Sequence, residues 1–67
     1  MYKYKVEFSY LSGNSTYRSR WSAEYNADSC QVAADMARKE YGDLDDMRVD
    51  RVWKENYGSW MAVNAWR

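Results

Sequence analysis

Cys30 is the single cysteine of a 67-residue chain that contains no histidine. A cysteine in the first turn of a helix can act as a nucleophile, but the side chain best suited to activate it near neutral pH is missing. Cys30 reads instead as a small apolar residue at a helix–sheet interface. Asp43, Asp45 and Asp46 crowd one short connector. With one cysteine and no histidine they match neither zinc nor EF-hand spacing, and they read as a solvated loop. No glycine-rich phosphate loop is present. The expectation is no catalytic residue, no metal, no cofactor and no enzyme activity.

Binding chemistry is better supplied. Lys3 and Lys5 alternate on one segment and Arg18 and Arg20 on the next, interrupted only by Glu7 and Glu24. A basic sheet face flanked by rings could clamp single-stranded nucleic acid. The same pattern also describes a solvated face with cross-strand charge pairs. The aromatic residues of the hairpin mostly share the opposite side, which disfavours a stacking platform. Trp53, Tyr57, Trp60 and Trp66 cluster near the C-terminus. Tryptophan and arginine are the types most enriched at interface hot spots, and residues 60–67 could offer a sheet edge for strand addition. Simple core extension is the competing reading. Arg51 falls between Val49 and Val52, whose spacing of three breaks period two and predicts either a bulge, which would aim Arg51 outward, or a strand buried partly on both faces.

The elements that must carry these residues follow from periodicity. Tyr2 to Tyr10 alternates, with Tyr2, Tyr4, Val6, Phe8 and Tyr10 on one side, and reads as a half-buried strand. Residues 12–15 supply turn chemistry. A second strand runs from Thr16 to Tyr25, with Tyr17, Trp21, Ala23 and Tyr25 on one face, so that Phe8 and Trp21 are expected to meet the helix. Asp28-Ser29-Cys30-Gln31 resembles a capping box with Asp28 at the cap. The helix spans Ser29 to Tyr41 and stops at Gly42 as a C′ residue. Its stripe is Cys30, Ala33, Ala37 and Tyr41, widened by Ala34 and Met36, and its small residues allow close approach to a sheet rich in rings. Met47 to Glu55 is a third strand, residues 56–59 a turn, and Trp60 to Trp66 a fourth strand. The predicted fold is α+β: an antiparallel sheet of three to four strands with one helix on one face, in the order ββαββ. A helix returning from the second strand delivers the third beside the first, giving spatial order 2-1-3-4.

Length and composition agree with one small domain over residues 1–67. A chain this short buries about 60% of its unfolded surface, so large side chains must carry stability. Four Trp, seven Tyr and one Phe are available. The absence of proline argues against a linker, and a lone cysteine suits a reducing cytoplasm. No signal peptide or membrane span is visible. Net charge is zero but uneven, with a positive N-terminal third and a negative middle. That balance disfavours generic nucleic-acid affinity and suits a protein partner docked in one orientation.

Tyr25-Asn26-Ala27, the capping segment 28–31, Ala33, Ala37, Tyr41 and Val49-Asp50-Arg51-Val52 together resemble the small early host-takeover proteins of tailed phages, most closely the coliphage type that inhibits bacterial RNA polymerase. The similarity covers residues 16–54. It implies a stoichiometric inhibitor of a bacterial host complex, acting in the host cytoplasm as a monomer or weak dimer. In that family a pair of arginines on the last strand contacts the polymerase. Arg51 matches one of them, whereas Trp53, followed by Lys54, replaces the other. The family has no counterpart of the hairpin over residues 55–67. Anti-CRISPR and other phage counter-defence proteins share the size and mixed architecture. The expected partner-binding residues are Arg51, Trp53, Lys54, Arg18 and Arg20. A small nucleic-acid-binding sheet and a self-associating module are the alternatives.

Overall fold

In the computed structural model, which describes residues 1–13, 17–64 and 66, the alternating N-terminal segment forms β1 (Tyr2–Ser12). Tyr4, Val6 and Phe8 are buried on one side of it. β1 pairs antiparallel with β2 (Tyr17–Ala27) over eleven residue pairs without interruption. The turn positions 14–16, including the expected start of the second strand at Thr16, lie outside the described residues. After α1 (Cys30–Tyr41), the strand β3 (Arg48–Asn56) pairs antiparallel with the other edge of β1, and β4 (Ser59–Val63) follows it. The sheet order is β2-β1-β3-β4, so the fold is the expected α+β architecture with β1 inside the sheet.

The helix begins where β2 ends. Ser29, not Asp28, is the N-cap, and its hydroxyl accepts from the Val32 amide at 3.2 Å. Both residue types cap helices well; β2 continues to Ala27, which leaves the extended backbone of a cap to the later residue. Ala33, Ala34 and Ala37 are fully buried against the sheet, with Cys30 half-buried beside them. Met36 is exposed and does not belong to the stripe. Gly42 closes α1 in a right-handed conformation rather than the left-handed one of a C′ glycine. Glycine stands there for space, because a Cβ would meet the Arg38 carbonyl oxygen at 2.2 Å.

The core joins Tyr4, Val6, Ala27 and Val52 to the helix alanines and Trp66. β4 ends at Val63 instead of reaching Trp66, whose indole enters the core at 8% exposure. β3 contains the expected bulge: Val52 opposes Val6, Arg51 opposes Glu7 and Val49 opposes Phe8, leaving Asp50 as the extra residue. Both valines therefore turn toward the helix. Tyr57 and Gly58, at φ 50° and 81°, form the two-residue connection between Asn56 and Ser59. Positive φ at both positions matches the twist of a tight hairpin.

Trp21 departs from expectation. It opposes Phe8 across β1 and β2, on the helix side, yet it is 62% exposed. A twelve-residue helix is about 18 Å long, whereas an eleven-residue strand extends about 36 Å. The Tyr41 ring at the end of α1 reaches Phe8 on the inner strand, with centroids 4.7 Å apart. Trp21, one strand further out, lies beyond that reach.

Candidate functional site

The face of the sheet turned away from α1 is set by the pleat. It carries Lys3, Lys5, Glu7 and Ser9 on β1, the even-numbered residues Arg18 to Asn26 on β2, and the residues that register opposite them on β3 and β4. Because Val52 points inward, Trp53 points outward. It lies opposite Lys5, and the Tyr57–Gly58 turn brings Trp60 opposite Glu55, onto the same face. Two tryptophans of the second hairpin therefore stand on the open face, while the rings of the first hairpin keep to the helix side as expected.

These side chains form one cluster. The Trp53 indole N–H donates to Glu7 Oε1. Lys5 Nζ lies 5.8 Å from the Trp53 ring centroid and 5.0 Å from that of Trp60. The Arg51 guanidinium sits over Trp53 at 5.3 Å. Arg51 is exposed and among the described residues has no carboxylate partner, although Asp50 and Glu55 are close in sequence. It stands between two clefts of about 400 and 440 Å³, one shared with Arg18, Arg20 and Glu7 and the other with Ala62, Asn64 and Trp66.

The other expected site residues divide. Arg18 donates to Ser9 Oγ at 3.0 Å and to the Asp46 carbonyl at 3.2 Å, and it pairs with the Asp46 carboxylate. Arg48 reaches the same carboxylate at 3.0 Å. One aspartate thus ties β2 and β3 across β1, and Arg18 is occupied by structure. Arg20 is exposed, with no hydrogen bond or ion pair among the described residues. Lys54 opposes Tyr4 in register and lies on the helix side, 3.8 Å from the Tyr2 ring centroid. The structure groups Arg51 with Trp53, adds Lys5 and Trp60, and separates Lys54 from them.

Comparison with protein families, curated proteins and solved structures gives no match to this chain. Function must therefore be argued from the residues.

Displaced titrations occur on the helix side. Burial, then a hydrogen bond to Glu40 at 3.0 Å, pushes the Tyr25 hydroxyl far above its ordinary range. Burial raises Tyr4, and the Glu40 carboxylate raises Tyr41. Of these groups Tyr25 links sheet and helix, its protonated hydroxyl donating from β2 to Glu40 of α1. Among the described residues no three Cys, Asp or Glu side chains converge as metal ligands, and no helix is long and apolar enough to cross a membrane. Sequence reasoning missed Lys5 and Trp60 as members of the cluster. Counting pleats outward from Val52 and from the two-residue turn would have found both.

Proposed function

We propose that this chain is a phage-encoded binding protein that inhibits a bacterial host complex by stoichiometric protein–protein contact, with Arg51 and Trp53 at the centre of the contact surface. Arg51 carries the reading. It is an exposed guanidinium, engaged in no ion pair among the described residues and seated over a tryptophan ring. A stacked guanidinium keeps its donor fork free for an acidic group, and arginine and tryptophan are both among the residue types most enriched at hot spots. Arg51 is also the residue that matches the polymerase-contacting pair of the resembling phage proteins, which makes host RNA polymerase the first target to test. Counter-defence inhibition of the anti-CRISPR type would use the same surface.

A nucleic-acid reading draws on Trp53 and Trp60 together with the arginines of the open face. Two observations weigh against it. Glu7 sits inside the cluster, bound to the Trp53 indole, where it would repel a phosphate backbone. Lys5 lies over both indoles, where bases would stack.

The experiment is capture from bacterial lysate and by purified RNA polymerase, using wild type and Arg51→Glu, with and without nuclease. Protein capture that resists nuclease and is lost in Arg51→Glu supports the proposal. Capture that vanishes with nuclease and weakens steeply with salt favours nucleic acid.

A further inference from the structure

β2 is an edge strand of eleven residues whose protection against pairing is limited to the charges of Arg18, Arg20 and Glu24. It contains no proline or glycine, its register with β1 runs unbroken from Tyr17 to Ala27, and no bulge turns it away. Such an edge is a template for another strand. Two of its rings are also uncovered, with Trp21 and Tyr17 both exposed on the helix side.

We propose that β2 pairs with β2 of a second copy of this chain, antiparallel about a two-fold axis at Ser22, forming one continuous eight-stranded sheet. The residue pattern selects both the partner and the register. Ser22 is the midpoint of Tyr17–Ala27, so this register uses the whole strand, with Tyr17 opposite Ala27 of the second copy. It sets Arg20 opposite the second copy's Glu24, twice by symmetry. Arg20 has no partner among the described residues, and Glu24 is half-exposed and held only by Lys3 at 3.5 Å. Opposite charges directly across a pair stabilise an antiparallel ladder. On the other face the register places Trp21 opposite Ala23, a large side chain over a small one.

Neighbouring registers are poorer, and a two-fold at Ala23 sets Arg20 opposite Asn26 and Glu24 opposite Ser22, which removes both charge pairs. A two-fold at Arg20 or at Glu24 sets like charges face to face. One at Trp21 sets Glu24 opposite Arg18, which Asp46 and Ser9 already hold. The interface is isologous and closes on itself, which retires the edge instead of propagating a fibre. This inference uses the β2 edge and does not rest on the role proposed for Arg51, although Arg20 lines the cleft beside it.

Analytical ultracentrifugation from low micromolar to millimolar concentration tests it, with a species of twice the 8.0 kDa chain mass expected. Arg20→Glu or Glu24→Arg alone sets like charges across the ladder and should weaken the dimer about tenfold or more. The double exchange restores opposite signs and should return the wild-type association. For the register, Ser22→Cys in a Cys30→Ser background should form an intermolecular disulfide readily, since paired strands bring Cα atoms within about 5.5 Å. Asn26→Cys, far from the axis, should not. A wild-type chain that stays monomeric throughout overturns the proposal, as do single variants that associate normally or a double variant that fails to recover. Cross-linking at residue 26 in place of 22 overturns the register. Circular dichroism verifies that each variant is folded.

Discussion

Phe8 and Trp21 oppose each other across β1 and β2, but Phe8 is 1% exposed and Trp21 62%. One ring is closed over by Tyr41 at 4.7 Å; the other borders a shallow apolar groove of about 280 Å³ beside Tyr10 and Leu44. Phe8→Ala should cost about 3–5 kcal/mol and unfold most of so small a domain. Trp21→Ala should cost under about 1 kcal/mol. Urea denaturation of the two variants checks the contrast, and similar losses would mean that Trp21 is packed after all.

Arg51→Glu tests the proposed contact surface. Truncation or reversal at a hot spot typically costs about 2 kcal/mol or more, roughly thirtyfold in affinity. The melting temperature should hardly change, since Arg51 is exposed and makes no ion pair among the described residues. Loss of capture accompanied by loss of fold would remove the reason for placing the contact here.

Deleting Asp50 separates the bulge from the fold. Asp50 is the extra residue, and without it Val49, Arg51 and Val52 would oppose Phe8, Glu7 and Val6 in a regular ladder. The variant should therefore fold with the same valines inside, because the pleat is restored rather than inverted. Its partner affinity should fall, since a bulge re-aims the neighbouring side chain. A deletion that unfolds the protein would show that the bulge serves packing.

Alkaline titration reads the helix–sheet contact. Tyr4, Tyr25 and Tyr41 are raised from the ordinary value of 10.0, so the folded state holds their protons more tightly than the unfolded chain. Stability from these groups is complete below pH 10 and declines as pH climbs from there through the folded values. Absorbance titration should show three of the seven tyrosines ionising late in native protein and with the rest in denaturant. Tyr25→Phe should cost about 1 kcal/mol or less, since its hydrogen bond is exposed, and should flatten the alkaline decline.

Asp46 is the next residue to test. Its φ of 48° suits asparagine nearly as well as aspartate, so Asp46→Asn removes charge with little change in backbone preference. The loss should be about 1 kcal/mol at low salt and less at high salt, because the two ion pairs to Arg18 and Arg48 are partly exposed. A salt-independent loss would point to the Arg18 bond with the Asp46 carbonyl.

Much of the fold was legible because burial writes itself into spacing. Tyr4, Val6 and Phe8 announce β1, and the three-residue interval from Val49 to Val52 announces the bulge. The site was half legible. Arg51 and Trp53 follow from that bulge, while Lys5 and Trp60 depend on a register that only strand pairing supplies. Lys54 is adjacent to Trp53 in sequence, but adjacent strand residues face opposite ways, so it lies on the helix side. Trp21 could not be read locally, because its exposure depends on how far α1 extends over the hairpin. Ser29 and Asp28 are both good caps, and the end of β2 decided between them.

The sheet order also carries a timetable. β1 leaves the ribosome first, yet one of its two neighbours, β3, is made only after β2 and α1 have been synthesised. The β1–β2 hairpin can close early, on a microsecond scale, but Val6 and Phe8 then wait without Val52 and Val49. Until residues 48–54 emerge, the nascent chain presents an apolar strand with a bare edge, the state in which chaperones and stray strands find their opportunity. The neighbour of β1 that arrives last is thus the strand that also bears Arg51.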